Sequence, residues 1–241
     1  MARSEPRSVL ALIHQMNAGS GVFGETVLER GLEIDERCIP EGADAPDPER
    51  YSAVLVFGGS ANVDEEAGRP WLRAERELLE RALALDIAVL GVCLGAQQLA
   101  QAAGARVWPN GSFEIGWHAV YATPEARDDA VLGPLPDTIC ACEWHAYGFD
   151  LPPGAAPLYE NDRGLQAFRI GTRQWGIQFH AEVTAPTFAF WASAGDGREE
   201  ALEAGVDLVA LEAETAARIG EWNELGRGLC RRFLDVAAAA A

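Results

Sequence analysis

Cys93 stands in the stretch Ala88-Val-Leu-Gly-Val-Cys-Leu-Gly-Ala-Gln-Gln-Leu-Ala100, with Gly91 and Gly95 two residues to either side. An apolar strand, a tight turn and a helix follow one another there, with the cysteine at the apex. That is the pattern of a nucleophile elbow carrying sulfur where hydrolases often carry a serine oxygen. Small neighbours let a carbonyl approach. The helix that follows directs its free N–H groups and positive dipole end at the sulfur, which favours thiolate over thiol. Such a nucleophile also needs a base. Of His14, His118, His145 and His180, the last ends the apolar run Trp175-Gly-Ile-Gln-Phe-His180 and is followed by Ala181 and Glu182. Residues two apart in an extended segment point to the same side. Glu182 is therefore placed to hold one imidazole nitrogen and leave the other for Cys93. Nucleophile, base and orienting acid make a triad suited to acyl transfer.

The elements that must position these residues follow from periodicity and turn chemistry. Val9–His14, Leu32–Cys38, Tyr51–Phe57 and Ile87–Val92 read as strands. Helices are expected within Gly19–Gly31, over Trp71–Leu85 and over Leu94–Ala103, the last closed by Gly104. This alternation implies a flavodoxin-like, doubly wound α/β fold with a mostly parallel sheet. After residue 104 short strands with turns between them (Ala105–Trp108, Gly116–Ala122, Thr138–Ala141, Pro157–Tyr159, Leu165–Arg169, Gln174–Phe179) predict a short antiparallel extension. From about residue 185 to 241 the chain reads as a helical C-terminal tail. There Leu208, Leu211, Thr215, Ile219, Trp222, Leu225, Leu229, Phe233 and Val236 form one apolar stripe, expected to pack on the rest of the chain. Residues 1–241 are expected to form a single domain, with no internal repeat or interdomain linker.

Composition narrows the function classes. The chain has 241 residues and a formal net charge of −18. Its 19 basic residues are all arginine, so a Schiff-base or Walker-type lysine mechanism within this chain is excluded. An acidic surface repels phosphate backbones, and no nucleic-acid partner is expected. No apolar run reaches the length of a membrane span. The first residues lack the layout of a signal peptide. Five scattered cysteines, at 38, 93, 140, 142 and 230, predict reduced thiols and a cytoplasmic location.

Gly91-Val-Cys93-Leu-Gly95-Ala-Gln97 together with Gly176-Ile-Gln-Phe-His180-Ala-Glu182 resembles the class I, triad-type glutamine amidotransferases. Glu114-Ile-Gly116-Trp117 and Trp144-His145-Ala-Tyr-Gly-Phe149 are similar to segments of the branch that includes the glutaminase domain of GMP synthase. The resemblance implies that Cys93 attacks the side-chain amide of glutamine and that His180, held by Glu182, moves the protons. It places the backbone N–H groups of Gly59 and Leu94 at the oxyanion. Gly58, Gln97, His145 and Tyr147 become substrate-binding candidates, and no metal or cofactor is called for. Two departures stand out: Ala181 replaces the family's usual Pro between His and Glu, and Ser60 replaces the common Pro after the glycine pair.

Other readings of the same residues are weaker. His180-Ala-Glu182 matches the H-x-E of zinc deaminases, but the required Pro-Cys-x-x-Cys is missing downstream, where only Cys230 occurs. Cys140, Cys142 and His145 lack a fourth ligand and standard zinc spacing. His14 and His118 read as structural. This chain shows no ATP-binding segment, so a separate synthetase or acceptor subunit is the expected recipient of the ammonia. The alternatives are a standalone hydrolase of γ-glutamyl amides or peptides, and a non-catalytic interaction module on the same fold. The intact Cys–His–Glu set argues against the last.

Overall fold

The computed structural model describes residues 8–16, 18–193 and 195–239. Its first strand, β1 (Ser8–Ile13), is buried on both faces, and its alternate residues divide between two cores. Val9, Ala11 and Ile13 join one, while Leu10 and Leu12 join the other. This is why the segment reads as a continuous apolar run rather than an alternating one. The strand is followed by α1 (Gly21–Glu29), β2 (Glu33–Cys38), β3 (Ala53–Val56), α2 (Trp71–Ala84), β4 (Ala88–Val92) and α3 (Leu94–Ala102). The ends of α1 and α3 pass into Gly31 and Gly104, both at positive φ, which glycine adopts without steric penalty.

The second half supplies β5 (Val107–Ala122), β6 (Thr138–Phe149), β7 (Ala156–Asn161), β8 (Gly164–Ile170) and β9 (Gln174–Ile177). The two short strands expected at 105–108 and 116–122 merge into the single long β5, which starts only at Val107. The strand expected at Thr138–Ala141 continues to Phe149, which carries Trp144–Tyr147 into the sheet. The helical tail resolves into α4 (Ala185–Ser193), α5 (Gly195–Glu203) and α6 (Leu208–Ala238).

Nine strands form one mixed sheet in the order β2-β1-β3-β4-β9-β8-β7-β5-β6. The first five are parallel and take the flavodoxin-like order. The rest add antiparallel. Helices α2 and α3 pack together on one face, and α1 with α6 on the other. The predicted stripe of α6 faces inward: Leu211, Thr215, Trp222, Leu229 and Phe233 are buried. In sheets of this type ligands bind beyond the carboxyl ends of the parallel strands. His14, Gly58, Cys93 and His180 all follow such ends, after β1, β3, β4 and β9.

Candidate active site

The turn between β4 and α3 holds Cys93 at φ 51° and ψ −110°, a strained conformation for a residue with a side chain. Its flanking glycines explain themselves by contact. A Cβ on Gly91 would meet the Gly95 carbonyl, and one on Gly95 would collide with the Val56 carbonyl of β3. The elbow is thus locked against the sheet by backbone approach, and Cys93 N–H donates to Ile177 O at 2.8 Å. The buried thiol lies 3.7 Å from the Trp144 carbonyl.

His180 leaves the end of β9 and is nearly fully buried. Its Nδ1 donates to Glu182 Oε1 at 2.8 Å, but β9 stops at Ile177 rather than Phe179, so the contact is made across a turn and not along an extended strand. Burial disfavours a charged ring. The Glu182 carboxylate and the Cys93 sulfur outweigh burial and raise the His180 pKa well above the usual histidine value. Gly58 sits between Cys93 and His180: a Cβ there would lie 2.6 Å from His180 Cε1 and 3.4 Å from Cys93 Cβ. The glycine pair is therefore a steric requirement of the site.

A cavity of about 730 Å³ opens over this group. Gly58, Gly59, Leu94, Gln97, His145 and Tyr147 all line it, so the structure gathers every residue expected from sequence. Leu94 opens α3, and its N–H has no intrahelical acceptor. Gln97 donates to Gln178 Oε1 at 3.2 Å and to Tyr147 O at 3.4 Å, fixing the far wall. The Tyr147 hydroxyl donates to Asp64 at 3.0 Å. His145 lies deeper. Burial opposes a charge there, but Glu114 and Glu143 hold the ring positive, with a pKa of about 10. The Cys140, Cys142 and His145 grouping does not form. The His145 ring meets Glu114 and Glu143 instead.

Three supports were not foreseen from sequence. First, His14 Nδ1 donates to Gly58 O at 3.1 Å, and its Nε2 donates to the fully buried Glu75 Oε2 at 2.7 Å. The ring also underlies Gly59, where a Cβ would fall 2.7 Å from the His14 Cβ. Glu75 interrupts the apolar stripe Leu72, Leu78, Leu79, Ala82 of α2, and an acid on a buried helical face was the readable signal. Second, α6 grips the His180–Val183 segment. Trp222 Nε1 donates to His180 O and Asn223 Nδ2 to Val183 O, each at 2.7 Å. Gly226 presses on the Ala181 carbonyl. Val22 N–H at the start of α1 donates to Glu182 O at 3.0 Å. These bonds hold the segment on both sides of Ala181. Third, Trp191 of α4 packs on the His180 ring, with centroids 4.8 Å apart.

The fold and site define the glutamine amidotransferase class of α/β protein. The family pattern Glutamine amidotransferase class-I matches residues 23–189, and the chain belongs to that family. A crystal structure of a Thermotoga maritima glutamine amidotransferase superposes with a TM-score of 0.85 at 30% identity, covering 95% of this chain and 99% of that one. The glutamine amidotransferase-like protein YfeJ of Salmonella typhimurium is 26% identical over 178 residues, 72% of this chain and 74% of that protein. One of the subunits of the glutamine-hydrolysing GMP synthase of Picrophilus torridus is 28% identical over 172 residues, 69% of this chain and 86% of that polypeptide.

Proposed function

We propose that this protein hydrolyses the side-chain amide of glutamine through a γ-glutamyl thioester on Cys93. The observation that carries the reading is the buried Cys93–His180–Glu182 group at a strained elbow. The sulfur attacks the amide carbon, and the oxyanion is met by the N–H groups of Gly59 and Leu94. His180 gives its proton to the departing ammonia, then takes one from water, which attacks the thioester, frees glutamate and restores the thiol. Glu182 fixes the ring and offsets its charge. Gly58, Gln97, His145 and Tyr147 shape the glutamyl subsite. The ammonia passes to an acceptor on a separate synthetase polypeptide. The likeness to a GMP synthase built from separate subunits supports that reading. We place the protein in the cytoplasm.

A second reading has one observation in its favour. The cavity is of a size that holds ligands well beyond an amino acid. Glu41, Asp196 and Glu200 line it, and among the described residues no arginine does. A γ-glutamyl amide with a larger neutral or cationic amine portion fits such a space. Purified protein assayed for glutamate release on glutamine, and on γ-glutamyl amides of neutral, cationic and anionic amines, separates the two readings. Turnover of glutamine is expected, with a loss of at least about 100-fold in Cys93→Ala. Preference for a bulky amide over glutamine selects the second reading. Activity undiminished by the substitution removes both.

A further inference from the structure

We propose that Glu114, Glu143 and His145 form a binding site for one divalent transition ion, Zn²⁺ first among them, beneath the wall of the cavity. The site is built across two strands. Glu114 of β5 is the direct cross-strand partner of His145 on β6. Glu143 lies two residues before His145, on the same strand face. All three side chains are buried, and one donor atom from each lies within 4.8 Å of the others.

Two observations point to a ligand. Both oxygens of Glu143 are buried without a hydrogen-bond partner, and a fully enclosed carboxylate whose charge is faced at close range only by the His145 ring at 3.3 Å, off the hydrogen-bonding direction, is poorly satisfied. The second is the direction of the imidazole. His145 Nδ1 donates to Tyr147 O at 2.8 Å, which leaves Nε2 aimed between the acids. Nε2 is 3.0 Å from Glu114 Oε2 and 3.3 Å from Glu143 Oε2, yet it hydrogen-bonds to neither. The oxygens lie off its N–H axis.

Without an ion the acids keep a proton on Nε2, which answers the charge but not this geometry, and a bound ion would take that proton's place. A cation on the axis answers both. With bonds of about 2.1 Å, ligands spread at right-angled to tetrahedral positions stand roughly 3.0–3.4 Å apart. One imidazole and two carboxylates suit Zn²⁺, and two negative charges balance it. Rotation of Glu143, which nothing anchors, closes the set, and water from the cavity lined by His145 takes a fourth place. Outer supports are already present. Tyr147 O fixes the ring. Asn161 Nδ2 donates to Glu114 Oε1 at 2.8 Å, and Gln166 Nε2 to Glu114 Oε2 at 3.4 Å. Metal-binding histidines and carboxylates are commonly oriented this way. His118 also faces the cluster, its Nδ1 3.9 Å from Glu114 Oε1, and Cys93 and His180 lie within electrostatic reach of His145 and Glu143. The ion would tie β5 to β6 under Trp144 without entering the amide chemistry.

The test uses chelator-stripped full-length protein carrying Cys93→Ala, which removes the competing thiolate. Zn²⁺ is titrated by calorimetry, and bound metal is counted by elemental analysis after dialysis. One equivalent is expected, with micromolar or tighter affinity. Adding Glu143→Gln is expected to weaken binding at least about 100-fold. Adding Asn161→Ala, which leaves all three ligands in place, is expected to weaken it about 10-fold. Co²⁺ in the same background is expected to give d–d bands without sulfur charge transfer. Wild-type-like binding in both added variants, or no stoichiometric ion in the Cys93→Ala protein, overturns the site and leaves a proton on His145 as the occupant. None of these readouts depends on glutamine hydrolysis.

Discussion

His14 shows how one side chain serves the site from behind the reacting atoms. Both ring nitrogens face acceptors, Gly58 O and Glu75 Oε2, so the doubly protonated ring is the form that fits. Burial opposes that charge, but Glu75 and the Gly58 carbonyl prevail, and the pKa of His14 is raised. The sign of the linkage follows. A histidine raised in the folded state contributes stability that is complete below about pH 6.5, its unfolded value, and is lost as pH climbs through the folded one. Glu75→Gln breaks a buried pair and is expected to destabilise the protein by about 3–5 kcal/mol at pH 5.5. The gap between variant and wild type should narrow at alkaline pH. Urea unfolding at pH 5.5 and 9.5 measures it, and a gap that ignores pH contradicts the assignment of charge to His14.

At the scale of elements, β4, β9 and α3 were legible because each combines an apolar run with a turn signal: Gly91 and Gly95 around the elbow, His180 at a strand end. Cys93 and the His180–Glu182 pair stood out for the same reason, since each sits in a local pattern of its own. The unforeseen supports are contacts between elements distant in sequence. Nothing in the neighbourhood of Trp222 says that its indole meets the His180 carbonyl, because an aromatic on a helical stripe serves equally as plain core. Joining 105–108 and 116–122 into one β5 was also hidden, since Pro109 and Gly111 imitate a turn where the strand instead shifts register between Pro109 and Glu114. The grip of α6 is testable. Trp222→Phe keeps the packing against Phe179 and Trp117 but strands the His180 carbonyl, at about 1–3 kcal/mol. Chemical denaturation is expected to show that loss, together with a fall in kcat larger than any change in KM. Unchanged turnover would show that the bond carries stability alone.

For the whole molecule, the dominant quantity is charge. Thirty-seven acidic residues face 19 arginines. Arginine–carboxylate pairs such as Arg81 with Asp47 and Glu49, and Arg218 with Glu214, lie at the surface, where each contributes little. The excess of −18 repels itself at every separation within a Debye length. Raising NaCl from about 10 to about 500 mM screens both effects, and with an excess of −18 the repulsion is expected to be the larger. A rise in Tm of about 2–4 °C, equivalent to roughly 1 kcal/mol, is expected by scanning calorimetry. A fall would mean that the surface pairs outweigh the net field. Among the described residues no helix is long and apolar enough to cross a membrane, and all five cysteines are free.

The last long helix reaches the His180 carbonyl through a single indole, and at Gly226 it runs too close to the Ala181 carbonyl to admit a side chain. Its ties to residues 180, 181 and 183 make the C-terminal part of the chain a piece of the scaffold on which His180 is mounted.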